Sequence, residues 1–467
     1  MGTKGGYAMT ESRNYRLVHG GGDESEIPHV LIIGGGYLGM YTAMRLEKKL
    51  GAGEARITVV DPNSYMTYQP FLPETAAGSI SPRNVVVPLR KVLRRTKVLT
   101  GRVVRIDHAN RKVEFEPAQG GLRDIAYDYV VMAAGAVSRT LPIPGLAEHG
   151  IGIKTVGEAA YLRNHVLEQL NIADSTDDPA VRRKALNFVF VGGGFAGAEA
   201  IAELEDLARD ATRIYSSISI DDLHFYLIEA ADKILPEVGP EVGSKALSQL
   251  RLRGIDVRLS TFLESAVDQQ IKLSDGSEFA AGTLVWTAGV KPSPVVQASD
   301  LPLGPKGHVD TSENLTVNGV DRAFAGGDNA QVPDGNGGYY PPNAQNAVRQ
   351  APVLAGNVIA TLRGKELSPY RHKNLGAVAG LGLNKGAAQL FGRIKLTGRL
   401  AWLAHRSYHL LAVPTFNRKF RVLSDWTLGF FLRRDFASLP EMGDPRQAFT
   451  EASKPQIENG QLLRRVG

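Results

Sequence analysis

The sequence predicts an α/β fold built on two Rossmann-type dinucleotide-binding domains, the first of them discontinuous, and three observations carry this. A glycine-rich turn stands between a strand-like run and a helix-like run twice in the 467 residues, 158 positions apart. Each of these βαβ units ends its second strand on an acidic residue, Asp61 and then Glu229. A later buried-type strand runs into Ala-Gly in each, as Tyr129–Gly135 and Leu284–Gly289.

The first unit reads as strand His29–Ile33, turn Gly34–Gly39, helix Met40–Lys49 and strand Arg56–Val60. The second reads as strand Leu186–Val191, turn Gly192–Gly197, helix Ala198–Leu207 and strand His224–Ile228, with an insertion expected within Arg209–Asp222. Lys97–Val104, Lys112–Phe115, Asp256–Leu259 and Gln270–Leu273 are β-type runs, and Asp275–Gly276 is a hairpin signal. Leu141–Gly145, with two prolines, reads as a linker. The expected division is a disordered extension over 1–27, a first domain over 28–145 resumed at 320–375, a second over 146–319, a C-terminal helical segment over 376–440 and a tail over 441–467.

Composition excludes several chemistries. With no cysteine, disulfide frameworks, thiolate metal sites, cysteine nucleophiles and dithiol relays are ruled out. No metal site is expected. The first 27 residues lack the apolar region of a signal peptide, and no apolar run is long enough to span a bilayer. The 51 glycines cluster in short runs, as expected for tight turns and close approach to ligands.

In Gly34-Gly35-Gly36-Tyr37-Leu38-Gly39 the first glycine permits the turn and the second lets a pyrophosphate meet the backbone. The third lets the helix pack closely, with its N-terminus facing the phosphate charge. Asp61, 27 residues after Gly34, is placed to accept from ribose hydroxyls. Gly192-Gly193-Gly194-Phe195-Ala196-Gly197 repeats the arrangement with Glu229, whose carboxylate favours a free 2′-hydroxyl and hence NADH over NADPH. Glu199, on the first turn of the second helix, has two readings. It either pairs favourably with the helix N-terminus or sits beside the nicotinamide. Phe324-Ala325-Gly326-Gly327-Asp328 is a strand running into a carboxylate that could bind a polyol hydroxyl or serve ordinary turn chemistry.

Together these segments resemble the two-dinucleotide-binding-domain flavoproteins of the pyridine nucleotide-disulfide oxidoreductase superfamily, over roughly residues 28–440. Within it the chain is most similar to the type II NADH:quinone oxidoreductases, the non-proton-pumping NADH dehydrogenases. Ile143-Pro144-Gly145 through Lys154-Thr155 and Glu158, Gly193–Glu199, Trp286-Thr287-Ala288-Gly289-Val290 and Ala344-Gln345-Asn346-Ala347 carry this likeness. The resemblance implies FAD at Gly34, Gly36, Tyr37, Leu38, Gly39, Asp61, Val103, Ala134, Gly135, Asp328, Ala344 and Gln345. It implies NADH at Gly192, Gly194, Phe195, Gly197, Glu199, Glu229, Ala288 and Gly289. It also implies an acceptor pocket in which Glu199, Gln345 and Arg349 are candidate catalytic residues. Arg349 stands where the family's second glutamine is expected, and Gln350 follows one residue late.

From Lys385 to Arg434 there are ten Lys or Arg against one Asp, a local charge of +9, interleaved with Trp402, Trp426, leucines and phenylalanines. That pattern is expected of amphipathic helices lying in an anionic membrane interface, or of a helical pair whose basic face is solvated. The resulting expectation is a peripheral enzyme on the cytoplasmic face of the cell membrane, passing a hydride from NADH to FAD and two electrons to a membrane quinone. No nucleic-acid motif is present, and a homodimer stays open. The alternatives are a soluble reductase of rubredoxin or ferredoxin and a flavin-bound NADH sensor.

Overall fold

The computed structural model describes residues 27–372, 375–432, 434–439, 457–458 and 461–462. The expected extension, apart from residue 27, and most of the expected tail lie outside the described residues.

Strand His29–Ile33 pairs in parallel with Arg56–Asp61 on one side and Tyr129–Met132 on the other, at the centre of a seven-stranded sheet. Ala323–Ala325 closes one edge in parallel, so the first domain is completed by a late segment, as expected. On the other side the parallel pairing with Lys97–Asp107 gives way to the antiparallel strands Lys112–Pro117 and Arg123–Ala126. The second sheet is fully parallel, in the order Gly150–Ile151, Thr283–Trp286, Asn187–Val191, His224–Ile228, Asp256–Arg258. Central strands of both sheets are buried on both faces, which is why they read as unbroken apolar runs.

Both fingerprint helices start three residues earlier than the sequence reading placed them, at Tyr37 and Phe195. Gly36 and Gly194 are the N-caps, so the last three fingerprint residues are already helical. The second helix also runs on to Ala211, where Glu205 and Arg209 pair one turn apart. The inserted residues therefore divide between the end of that helix and the loop before His224.

Two boundaries differ from expectation. The chain leaves the first domain at Ala136–Ser138 and returns at Val290–Pro292, and these segments pair antiparallel as a two-stranded ribbon. After the return, Ile106 N donates to Ala298 O, and His108 N donates to Asp300, so residues 293–319 pack with the first domain and not the second. The 376–440 segment is not helical throughout either. Gly376–Gly380, Gly386–Leu390 and Ile394–Thr397 form an antiparallel sheet, and only Gly398–Ala412 and Phe416–Leu432 are helices. Glycine and alanine explain this, because their small side chains let the helix lie close to the sheet. A Cβ at Gly380 would stand 3.2 Å from the His405 ring, and one at Gly386 2.8 Å from Trp402 N.

Three buried histidines, His29, His108 and His409, and the half-buried His165 set an acid limit on the fold. Burial holds His29, His108 and His165 below the ordinary imidazole value, and His409 well below it. In the unfolded chain these rings protonate near pH 6.5, so below that pH the unfolded state binds more protons. Their contribution is complete above about pH 6.5 and is lost as pH falls toward the depressed folded-state values, with His405, whose pKa is raised, opposing. The melting temperature is expected to drop steadily from about pH 7 to about pH 5. A flat profile over that range contradicts this account.

Candidate active site

The two fingerprints have the same local geometry. Gly34 and Gly192 adopt φ of +103° and +110°, a region that disfavours any side chain. A Cβ on Gly39 would lie 1.8 Å from Gly34 O, and one on Gly197 1.8 Å from Gly192 O, so helix and turn touch only because both are glycine. The middle glycines differ: a Cβ on Gly36 or Gly194 would meet nothing within 4 Å. No side chain caps either helix there, which leaves open space in front of the free N–H groups of a helix start.

The acidic partners are matched as well. Asp61 accepts from Gly35 N at 2.7 Å and from Asn63 N at 2.7 Å. Glu229 accepts from Gly193 N at 2.5 Å and from Ala231 N at 2.7 Å. Each carboxylate is fixed by two backbone donors beside its turn. Burial raises the Asp61 pKa, against the pull of those two donors. Despite spacings of 27 and 37 residues from the first glycine, the two acids occupy equivalent positions, because Gly34 N bonds Val60 O and Gly192 N bonds Ile228 O.

Around the first fingerprint the fold gathers Leu38, Gly326, Gly327, Asp328 and the helix Ala344–Leu362. A Cβ on Gly326 would lie 3.2 Å from Leu38 and 3.0 Å from Gln350 Oε1. Asp328 is half-buried and its carboxylate makes no hydrogen bond among the described residues, and burial raises its pKa against the opposing charges of Lys154 and His308. Ala134 and Gly135 end the Tyr129–Met132 strand beside this loop, where Gly135 N donates to Asn329 Oδ1 at 2.9 Å. Fully buried Asn329 also donates to Met132 O at 3.1 Å. Val103 stands apart, at a bulge on strand Lys97–Asp107 opposite Phe115. In the second domain Thr287 Oγ1 donates to Val191 O and lies 3.0 Å from Gly192 O, holding the Ala288–Gly289 strand end against the NADH-type turn.

Helix Ala344–Leu362 separates its two polar pairs. Gln345 and Arg349 share one face, where Arg349 Nη1 donates to Gln345 Oε1 at 3.3 Å and contacts His372 Nε2. Gln345 Nε2 reaches Gly376 O. One position on, buried Gln350 accepts from Gly327 N at 2.6 Å. Gln350, set aside in the sequence reading as one residue late, is therefore the glutamine that meets the Gly327–Asp328 loop. Sequence spacing could have found it, since residues 346, 347 and 350 share the buried face of this helix.

Glu199 is buried, and its environment favours neither reading of it alone. Its Oε1 accepts from Gly380 N at 2.9 Å and lies 3.2 Å from His405 Nε2. Its partners thus come from the C-terminal segment, which sequence reasoning did not connect to it. The same segment supplies a buried ionic cluster. Arg406 pairs with Glu74 at 3.2 Å, Arg434 pairs with Glu203 at 3.4 Å, and Trp426 Nε1 donates to Glu74 Oε2 at 2.6 Å. Trp402 and Trp426 were expected as membrane anchors. They instead stack on the Arg406 guanidinium, 4.4 and 4.6 Å from its carbon, because that buried cation needs a polarisable cover. The +9 charge is likewise not all outward. Arg406 and Arg434 serve buried carboxylates, while Lys395 pairs with Glu241 at the surface and Arg433 lies outside the described residues.

Beside exposed Arg393, Arg399 and Arg421, much of what faces outward is apolar. Phe416 is 83% exposed, Phe430 82% and Leu432 75%, with Leu403, Leu411, Phe420 and Phe431 also exposed. Among the described residues no helix is long and apolar enough to cross a membrane, and no group of three or more His, Asp or Glu could hold a metal ion.

Residues 28–351 match the family model for pyridine nucleotide-disulphide oxidoreductases. A type II NADH:quinone oxidoreductase of Staphylococcus aureus (strain NCTC 8325 / PS 47) is 31% identical over 371 residues, covering 78% of this chain and 90% of the relative. Among solved structures, NDH2 from Plasmodium falciparum in complex with NADH superposes with a TM-score of 0.81 at 17% identity, over 88% of this chain and 99% of that one. The sulfide:quinone oxidoreductase of Aquifex aeolicus gives 0.65 at 18% identity, over 87% and 96%. A pyridine nucleotide-disulphide oxidoreductase fold without cysteine, matched along most of its length to these relatives, places the chain in the type II NADH:quinone oxidoreductase family.

Proposed function

We propose that this chain oxidises NADH through FAD and reduces a membrane quinone, without pumping protons. The observation that carries the reading is the pair of equivalent glycine turns, each with an open middle glycine and a carboxylate fixed beside it. FAD, when bound, supplies the hydride acceptor and the two-electron donor. The protein's part is placement. Gly36 leaves room for the FAD pyrophosphate at a helix N-terminus, Asp61 keeps lone pairs for ribose hydroxyls, and Asp328 is free to take a ribityl hydroxyl. Gln350 holds the Gly327 turn in position for that contact. Gly194 and Glu229 do the same for NADH in the second domain.

Glu229 sets the preference for NADH in this reading. Glu229→Gln removes the charge while keeping the size, and is expected to weaken NADH by about 1.5–3 kcal/mol, roughly ten- to a hundred-fold in KM. The gap to NADPH should narrow. A native enzyme that already prefers NADPH contradicts the assignment.

The exposed phenylalanines and leucines of the two C-terminal helices, rimmed by Arg399, Arg418, Lys419 and Arg421, are suited to rest in the headgroup region of an anionic membrane. Flotation with phosphatidylserine-containing vesicles should show binding that weakens with salt but persists. No binding at low salt would refute it.

Anaerobic stopped-flow tests the whole reading: NADH should bleach the flavin absorbance and a quinone should restore it. Failure of every quinone to do so refutes quinone as acceptor. In the same experiment Arg349→Gln, which removes a charge beside Gln345, should speed the quinone phase and leave the NADH phase unchanged. An unaltered quinone phase would put Arg349 outside the acceptor path.

A further inference from the structure

Arg349 is a half-buried guanidinium that pairs with no carboxylate among the described residues. Its Nη1 donates to Gln345 Oε1 at 3.3 Å and contacts His372 Nε2. Its Nε and Nη2 make no hydrogen bond among the described residues. The carboxylates of the neighbouring loops are engaged elsewhere. Glu313 pairs with Arg371, Asp334 accepts from Asn336 N and Gly338 N within its own loop, and Asp328 faces Lys154 and His308. A permanent cation drawn partly out of water carries a desolvation cost that neutral partners offset only in part.

The unfilled groups around it are donors. Burial, and after it the Arg349 charge, lowers the His372 pKa, so the ring is neutral at neutral pH. With Nε2 accepting from Arg349, the ring proton sits on Nδ1, which has no partner among the described residues. The Tyr340 hydroxyl accepts from His372 N at 3.1 Å and has no acceptor for its own proton among them. The Tyr340 and Tyr370 rings meet at 4.8 Å and 63°, and Tyr370 lies 6.5 Å from His372 between centroids. Tyr370 is buried and spends its hydroxyl proton on Asn346 Oδ1, whereas Tyr340 and His372 stay partly exposed. Unfilled donors beside aromatic walls suit a flat ring that bears an anionic oxygen.

We propose that Arg349, with Tyr340 and His372, forms an anion site that selects acceptors of the hydroxyquinone class, whose ring hydroxyl is ionised at neutral pH. This rests on the NADH:quinone reading and narrows its acceptor. The position on the helix fits. Its buried face gives Gln350 to the Gly327 turn, where a Cβ on Gly327 would lie 3.5 Å from Ala347. Gln345, one turn before Arg349, reaches Gly376 O of the C-terminal sheet. Arg349 thus shares its helix with the flavin turn and its face with a contact to the segment that carries the exposed apolar helices. NADH, one proton and one hydroxyquinone anion give NAD⁺ and one hydroquinone that keeps its ionised hydroxyl. The hydride brings two electrons and one hydrogen, and the proton brings the other, so the pairing with Arg349 lasts through the reaction.

A glutamine at this position would offer one amide to a neutral carbonyl. The guanidinium instead favours an anion, through the two parallel donors Nε and Nη2. A neutral quinone must lie beside a charge it cannot neutralise, whereas the hydroxyquinone anion removes that cost. Arg349→Gln is therefore expected to act with opposite signs on the two acceptors, speeding the neutral one and slowing the anion. A change in packing alone would move both the same way.

The test uses the full-length holoenzyme and two naphthoquinones of nearly equal shape, 2-hydroxy-1,4-naphthoquinone, an anion at neutral pH, and its neutral 2-methoxy counterpart. Calorimetric titration of the oxidised wild-type protein should give a Kd for the anion about 10- to 100-fold below that for the methoxy compound, the ordinary range for a charge-assisted hydrogen bond. This comparison needs no variant, so a folding defect cannot obscure it. Arg349→Gln should abolish the preference. Arg349→Lys, which keeps the charge and loses the fork, should retain part of it. Stopped-flow re-oxidation of the reduced flavin should follow the same order, with Arg349→Gln slower than wild type on the hydroxy compound and faster on the methoxy one. Wild-type protein that no quinone re-oxidises refutes the functional reading. Wild-type protein that is re-oxidised but binds the two compounds equally, or a preference that survives in Arg349→Gln, refutes the anion site alone.

Discussion

Gly36→Val is expected to yield a folded, colourless protein. Its Cβ would enter space empty of protein atoms, so the apo fold keeps its packing, while the added isopropyl group fills the place where the FAD pyrophosphate approaches the helix start. Gly39→Val, three residues on, should behave differently. Its Cβ would overlap Gly34 O at 1.8 Å between two backbone segments that cannot yield separately. The cost belongs at or beyond the upper end of the about 1–3 kcal/mol typical of overpacking, and soluble protein should be scarce. Circular dichroism and the visible flavin band separate the two outcomes. Normal flavin content in Gly36→Val would remove the FAD assignment from this turn.

Glu74→Ala should be the most destabilising single change among the buried ionic residues. Glu74 joins the first domain to the C-terminal helices, accepting from both Arg406 and Trp426. Its removal strands a guanidinium held between two indoles and leaves Trp426 Nε1 without its acceptor. Breaking a buried ion pair from one side costs about 3–5 kcal/mol. Unfolding in urea should report that loss, and limited proteolysis should cut first around the Gly398–Ala412 and Phe416–Leu432 helices. A loss below about 1 kcal/mol would mean that the pair is solvated and contributes as a surface bridge does.

These two expectations draw on different kinds of information. The glycine positions were legible in the amino-acid order, because a Rossmann turn is local: strand, turn and helix are contiguous, and the residue types follow from backbone sterics within six positions. The late return of the chain to the first sheet was legible for a similar reason, since Phe324–Asp328 repeats the pattern of a buried strand ending in a turn. The helix starts were misplaced by three residues because the fingerprint's last glycine looks like turn material. Its actual use is to let a helix touch the strand behind it.

The C-terminal third was read less well. Alternating glycine and alanine over 376–390 carries little periodic signal, and its antiparallel pairing depends on a helix covering it. Charge and aromatic content there pointed to helices in a membrane interface or to a helical pair with a solvated basic face, and two helices with exposed phenylalanines are what the fold holds. Composition could not say that two of the arginines and both tryptophans turn inward.

The sequence by itself determined the two nucleotide-type units, their acidic partners, the exclusion of thiol chemistry and the family likeness, all of which rest on contiguous residues or on composition. Only the tertiary structure decided which side chains meet across the chain. It put Gln350 rather than Arg349 at the Gly327 turn, joined residues 293–319 to the first domain, and brought Glu199 to His405 and Glu74 to Arg406 across more than 200 residues. The physical reason is burial. A charged residue read in sequence is by default a solvated one, and only packing reveals that its desolvation has been offset by a distant partner of opposite sign.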